Sequence, residues 1–355
     1  MATPERVVPG WMTGGGPAAD IALSTRLRLA RNLAGEPFPP RQDGTAASRV
    51  LQRVGAAVAA LPQDHGAYRI VRMADLEGPD RQTLVEQHLI SPLLALRATG
   101  AVALRADESV SIMINEEDHL RIQALLPGLQ CAEALRVADA VDDALNASLE
   151  YAFSEEWGYL AASPANVGTG LRASVMMHLP GLVLAGQAAP LFSNLAQMGV
   201  VVRGLHGEGS AAVGNLFQIS NQVSLGLAEE EIATSLQAIG RQVVDRERSA
   251  REWLFANRRT QIEDRVARAY GLLTNARLVP SAEAAALLSD LRLGIDLHVL
   301  PHLDPSLFNE LLVRTRPAFL QAAAGDQDHP AVRDALRATL IRQRIAQAER
   351  RSGKD

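Results

Sequence analysis

Apolar positions follow two different periods along this chain. "GAVALRADESVSIMINEEDHLRI" opens with a short apolar run, breaks at an "ADES" turn and resumes as the alternation "SVSIMI", the pattern of paired strands. "AEALRVADAVDDALNASL" changes to helical spacing with small residues, and "EWGYLAAS", "RASVMMHLPGLVLA", "GVVVRGL" and "NLFQISNQVSL" read as extended or mixed. From "AEEEIATSLQAIGRQVVDRERSAREWLFANRRTQIEDRVARAYGLL" onward, Ala, Leu, Arg and Glu recur at helical spacing almost to the end. The composition shifts near residue 250, inside a predicted long helix. No tandem repeat and no sustained heptad interrupts this order. The pattern predicts a flexible arm over 1–20, where Gly14-Gly15-Gly16-Pro17 disfavours regular structure, then mixed α and β to 250, then an all-helical part over 251–355.

At 355 residues, with 47% apolar and 21% charged side chains, the chain has enough apolar material for a packed core. Thirty-five basic against 40 acidic residues leave a net charge of −5, which argues against a general nucleic-acid binder. Aromatics at 4% are too sparse for single-strand stacking platforms. A single cysteine, Cys131, excludes an intramolecular disulfide and a multi-thiolate metal site. No stretch has the apolar core of a signal peptide or the roughly 18 apolar residues of a membrane span, so a cytoplasmic protein without a membrane partner is expected.

Four segments carry chemistry. In "STRLRLARN", Arg26 and Arg28 alternate with Leu27 and Leu29, so a strand would place both guanidiniums on one face. Two such forks suit a polyphosphate, although a solvated, salt-bridged strand would read the same way. "NEEDHLRIQ" concentrates Glu116, Glu117, Asp118, His119 and Arg121 at the end of an apolar strand. Such carboxylates can clamp a cation, act as base, or reach a metal through water; the plainer reading is an acidic turn around a satisfied histidine. Zinc is a poor fit, because no second histidine stands at ligand spacing. "RGLHGEGS" describes a charged, glycine-rich loop able to close over a substrate, or an ordinary polar turn. "SPANVGTGLRASVM" places Ser163 ahead of two glycines and Arg172, yet matches neither a P-loop nor a nucleophile elbow.

Taken in order and spacing, these four segments strongly resemble the catalytic domain of the phosphagen (guanidino) kinase family, over about residues 20–250. The chain looks most like that family's branch of bacterial protein-arginine kinases. Small-molecule members carry a helical domain ahead of the first arginine motif, whereas 23 residues precede Ser24 here. "RDALRA", Arg333 to Ala338, matches the branch's Arg-Asp-x-x-Arg-Ala motif, although a solvated i,i+4 helix pattern would also produce it.

The resemblance implies an α+β fold: an antiparallel-sheet catalytic domain flanked by helices over 21–250, followed by an all-helical domain over 251–355 for phosphoarginine binding and dimerisation. It implies ATP held by Ser24, Thr25, Arg26, Leu27 and Arg28, by His88 and Arg121, by Arg172, Ala173, Ser174, Val175 and Met176, and by Arg203, Gly204, Leu205, His206, Gly207 and Glu208. Mg²⁺ is expected on the phosphates and water, with no protein ligand named. Glu117 is implied as the base and Glu208 as the carboxylate orienting the guanidinium acceptor. Ser163 stands where most of the family has a reactive cysteine, so it is a substituted position and not a serine nucleophile. Arg333, Asp334, Arg337 and Ala338 are implied in phosphoarginine recognition and allosteric control. The expected activity is ATP-dependent phosphorylation of protein arginine, marking proteins for stress-linked degradation, with a McsA-like activator and a Clp protease as partners and a homodimer or larger assembly. The alternatives are a small-molecule guanidino kinase and a weakly active phosphoarginine-binding adaptor.

Overall fold

The computed structural model describes residues 10–204, 213–325 and 329–352. Its centre is an antiparallel sheet of eight strands: β1 (Ala22–Arg31), β2 (Tyr68–Arg72), β3 (Ala101–Arg105), β4 (Val110–Ile114), β5 (Leu120–Pro127), β8 (Leu171–His178), β9 (Val200–Gly204) and β10 (Leu216–Asn221), in the order β2-β3-β4-β5-β1-β8-β10-β9. A separate short hairpin joins β6 (Phe153–Ser154) to β7 (Gly158–Tyr159). Helices α1 (Gly44–Ala59), α2 (Gly78–Glu86), α3 (Pro92–Ala95), α4 (Cys131–Asn146), α5 (Pro180–Leu184), α6 (Ala188–Gln197) and α7 (Glu229–Asn257) surround it. Helices α8 (Arg259–Asn275), α9 (Ser281–Asp296), α10 (Ser306–Arg314), α11 (Pro317–Ala324) and α12 (Pro330–Ser352) form the C-terminal part.

The sheet is two-faced because its strands alternate with period two. Leu27, Leu29, Ile112, Ile122, Ala173, Val175 and Ile219 are fully buried in the main core. Helix α4 lays Ala134, Ala138, Val141 and Leu145 on that side, spaced by three and four residues as an apolar helical stripe requires. On the other face, Leu23, Leu125, Met176 and Leu216 join Trp11, Met12 and the apolar sides of α8, α9, α10 and α12 in a second core. The C-terminal helices are therefore docked onto one end of the sheet's polar face.

A buried ion network fixes that docking. Glu247 of α7 accepts from the backbone N–H groups of Gly181 and Leu182, each at 2.8 Å, and from Arg251 at 2.6 Å. Arg251 also reaches Asp296 of α9 at 2.8 Å, which holds Arg292 at 2.8 Å. Each charge has an opposite partner, the condition under which buried ions are tolerated.

One expectation changes. The arm expected over 1–20 is packed from Gly10 onward: Trp11 and Met12 are buried, and Arg292 donates to the Ala19 carbonyl at 2.9 Å. Gly16 makes this possible, because at φ 96° it passes so close to Pro127 that a Cβ would stand 2.5 Å from the Pro127 carbonyl oxygen. Residues 1–9 lie outside the described residues. The compositional shift near 250 lies within a long helix, α7, which continues to Asn257 and breaks at Arg258, with φ −137°. Composition there tracks the change of packing partner, not the end of the element.

Candidate active site

The arginines expected from sequence share one face of the sheet. Arg28 pairs in register with Arg172 on one side and Gln123 on the other, so their side chains emerge together. Arg26 stands two residues along the same strand, opposite Ser174. Arg121 stands two residues before Gln123 on β5. Arg203 pairs with Gln218, and Gln218 pairs with Met176, which alternation places on the side of Ser174 and Arg172. Five cations from four strands thus converge by register alone.

Such a face is electrostatically unfavourable without an anion. Burial pushes Arg26 down to about 10, with Arg121 adding repulsion. Arg28 lies well below the ordinary arginine range, because it is desolvated and repelled by Arg26, Arg121 and Arg172, with Glu116 as a partial offset. Arg172 is lowered by burial and by Arg203 and Arg121. Arg26 donates to Gln218 at 3.1 Å, while the buried Nε of Arg28 has no protein partner among the described residues. The surface fits a polyanion able to supply several acceptor oxygens.

One end of the face is acidic. Arg121 donates to Glu116 at 2.8 Å and to Glu117 at 2.9 Å. Glu116 is buried and also accepts the Glu117 backbone N–H at 2.9 Å, whereas the Glu117 side chain is 37% exposed and reachable. Asn166 approaches Glu117 at 3.5 Å. The neighbouring Asp118 and His119 serve the fold. Asp118 accepts from Asn32 and from the Ala162 backbone, each at 2.7 Å; His119 Nδ1 accepts from the Leu33 N–H at 3.0 Å, and its Nε2 meets the Pro37 carbonyl at 3.0 Å. His119 is therefore a satisfied structural histidine.

Ser163 opens a short turn over Pro164–Asn166, and the Asn166 N–H donates to its carbonyl at 3.0 Å. Among the described residues no histidine is hydrogen-bonded to its hydroxyl, so a triad has no geometric support. Alternation also divides the two expected nucleotide stretches. Ser24, Arg26 and Arg28, and Arg172, Ser174 and Met176, share the polar face; Thr25, Leu27, Ala173 and Val175 point to the other side, and their side chains do not reach the cavity. Thr25 instead donates to the Gly128 carbonyl at 2.7 Å. Gly204 ends β9, paired with Phe217; Leu205, His206, Gly207 and Glu208 lie outside the described residues.

Beside the arginines opens a cavity of about 710 Å³. Arg26, Arg28, His88, Gln123 and Gln218 line its sheet side. His88 sits at φ 62°, its carbonyl held by Gln123 at 2.8 Å and its ring edge-on to Trp11, with centroids 5.4 Å apart. Burial, with Arg26 and Arg316 nearby, pushes its imidazole down to about 3, so it is neutral at physiological pH. The opposite wall comes from the C-terminal helices, including Ser281 and Arg316, with Glu86 between. Sequence reading missed Arg316 and Glu86, and named Glu116 only among the carboxylates of "NEEDHLRIQ". Pro317 is a helix-start signal, but nothing in the string places the residue before it beside His88. Among the described residues no group of three metal-ligating side chains occurs.

In "RDALRA", Arg337 is buried: its Nε donates to the Thr315 carbonyl and its Nη1 to the Val279 carbonyl, each at 2.8 Å, and Asp334 accepts from it at 2.5 Å. Ala338 is buried in the second core, while Arg333 and Asp334 are partly exposed.

Residues 49–250 match the family model of the ATP:guanido phosphotransferase C-terminal catalytic domain, and residues 259–355 match that of the protein-arginine kinase McsB C-terminal domain. A protein-arginine kinase of Symbiobacterium thermophilum is 56% identical over 345 residues, covering 96% of this chain and 98% of its own. The Bacillus subtilis protein of the same name is 47% identical over 343 residues, covering 96% and 94%. In fold, the chain resembles lombricine kinase, with TM-score 0.56 and 23% identity over 69% of this chain and 73% of that one.

Proposed function

The chain belongs to the ATP:guanido phosphotransferase family, and from that premise we propose that it transfers the γ-phosphoryl group of ATP to arginine side chains of proteins. The observation that carries this is the face of mutually repelling guanidiniums, four of them drawn from β1, β5 and β8 and ending at the accessible carboxylate of Glu117.

Arg26, Arg28, Arg121, Arg172 and Arg203 bind the phosphates and spread their charge over several donors. Phosphoryl transfer proceeds through a loose transition state whose charge lies on the equatorial oxygens, so fixed cations lower its energy without reorganising. Mg²⁺, bound with the nucleotide, would supply further neutralisation of that charge. The acceptor guanidinium has a pKa above about 12 and is a poor nucleophile until a proton leaves. Glu117 accepts that proton as the nitrogen–phosphorus bond forms and the bond from the γ-phosphorus to the bridging oxygen breaks, releasing ADP. We assign Glu208 the task of gripping the acceptor alongside Glu117. Ser163 contributes a neutral hydroxyl where a thiolate would add a negative charge.

The wider setting we propose follows from family membership: cytoplasmic proteins marked for stress-linked degradation, a McsA-like activator, a Clp protease, and a homodimer or larger assembly. Recognition of phosphoarginine at Arg333, Asp334, Arg337 and Ala338 rests on the motif. Comparing free arginine with an unfolded arginine-containing protein as acceptor tests the substrate. Preference for the protein is expected; faster turnover of free arginine would overturn the assignment.

A further inference from the structure

The cavity has two walls of different origin. The sheet wall carries Arg26 and Arg28; the far wall is built by α9, by Thr315 and Arg316 between α10 and α11, and by Pro317 at the start of α11. Arg316 is the cation of that far wall. Its Nε donates to the Leu312 carbonyl at 3.3 Å, and its guanidinium makes no other hydrogen bond among the described residues. The adjacent carboxylate does not neutralise it by contact: both oxygens of the buried Glu86 accept the Ala318 N–H at 3.1 Å, and one reaches the Phe319 N–H at 3.4 Å. Glu86 thereby caps α11 and holds Arg316 at the cavity edge. Desolvation lowers Arg316 below the usual arginine range, as expected for a cation short of acceptors.

The cavity lining locates it. Arg26 and Arg28, assigned to the phosphates, line the sheet side together with His88, and Arg316 lines the side built by the C-terminal helices together with Ser281 and Thr315. Arg337 fixes the backbone there, since its Nε takes the carbonyl of Thr315, the residue before Arg316, while its Nη1 ties the same side chain to Val279 at the approach to α9.

We propose that the helical domain completes the nucleotide site through Arg316, whose guanidinium donates to the base and ribose of the bound nucleotide, and that Arg337 is the residue positioning it. This rests on the cavity being the ATP site. The "RDALRA" helix and the nucleotide pocket then share one strut, and the C-terminal helices form part of the binding site.

The test is calorimetric titration of the full chain with Mg-ATP and, separately, with inorganic tripolyphosphate. Arg316→Ala should weaken Mg-ATP about tenfold, the loss of a charge-assisted contact, while changing tripolyphosphate affinity less than about twofold. Equal weakening of both ligands would place Arg316 on the phosphates, and no weakening of either would remove it from the site; both overturn the proposal. Failure of the unaltered chain to bind Mg-ATP would instead overturn the functional reading. Arg337→Ala should raise the KM for ATP several-fold more than it lowers kcat, with Arg337→Lys partly restoring KM. If Arg337→Ala loses its helical circular dichroism, the Lys variant is read alone against the unaltered chain. A normal KM in the folded variant would overturn the positioning role.

Discussion

Glu117→Gln separates proton acceptance from phosphate binding. The substitution keeps the side chain's size and one acceptor oxygen while removing its charge. Arg121 would not be released, because Glu116 holds it independently at 2.8 Å from a buried position. The Glu117–Arg121 pair is 2.9 Å long, but its carboxylate is 37% exposed, so its loss costs about 1 kcal/mol or less. Nor does the nucleotide lose a donor. Mg-ATP affinity should therefore change by no more than about fivefold. Removing a general base lowers kcat by about 10²- to 10⁴-fold, equivalent to about 3–5 kcal/mol of barrier. The gap between these magnitudes is the diagnostic quantity. Steady-state transfer to an unfolded arginine-rich protein gives kcat, and calorimetric titration gives Mg-ATP affinity. A fall in affinity as large as the fall in kcat would show that Glu117 serves to hold Arg121. An unchanged kcat would remove it from the chemistry altogether.

Arg28→Met should stabilise the ligand-free protein by about 1 kcal/mol by relieving repulsion from Arg26, Arg121 and Arg172, while weakening Mg-ATP at least about tenfold; melting with and without nucleotide checks both signs. His88, pushed down to about 3 from an ordinary value of 6.5, binds its proton more weakly folded than unfolded. Its contribution to stability is thus intact above pH 6.5 and is lost as pH falls toward 3. His88→Asn tolerates the positive φ and should flatten the acid limb by about 1.2 kcal/mol between pH 6 and 5 in denaturant titrations; identical limbs would refute this. Cys131 is fully buried, its thiol pushed up to about 12 by desolvation, so peroxide should leave activity intact; Ser163→Cys should introduce sensitivity that a reductant reverses.

Much of the site was legible because strand alternation is a local property. Arg26 and Arg28 had to share a face once "STRLRLARN" was a strand, and the same rule explains why Thr25, Leu27, Ala173 and Val175 point elsewhere. Convergence of β1, β5, β8 and β9 came from the family resemblance, since cross-strand register is non-local. His119 was ambiguous because whether a histidine titrates freely or bonds Leu33 and Pro37 depends on tertiary neighbours. Arg316 was invisible for the same reason: His88, which lines the same cavity, lies more than two hundred positions away, and only packing of α11 against α2 unites them. The packed segment after Gly10 was misread because a glycine run signals conformational freedom, yet the positive φ of Gly16 is what lets the backbone pass close to Pro127.

The central claim is arginine as the phosphoryl acceptor in proteins. The direct measurement is residue-level identification of phosphate on an unfolded arginine-containing protein after incubation with Mg-ATP labelled at the γ-phosphate. Acid-labile label on arginine nitrogen, lost with Glu117→Gln, is the expected result. Label confined to serine, threonine or tyrosine, or appearing only on added free arginine, would contradict the account.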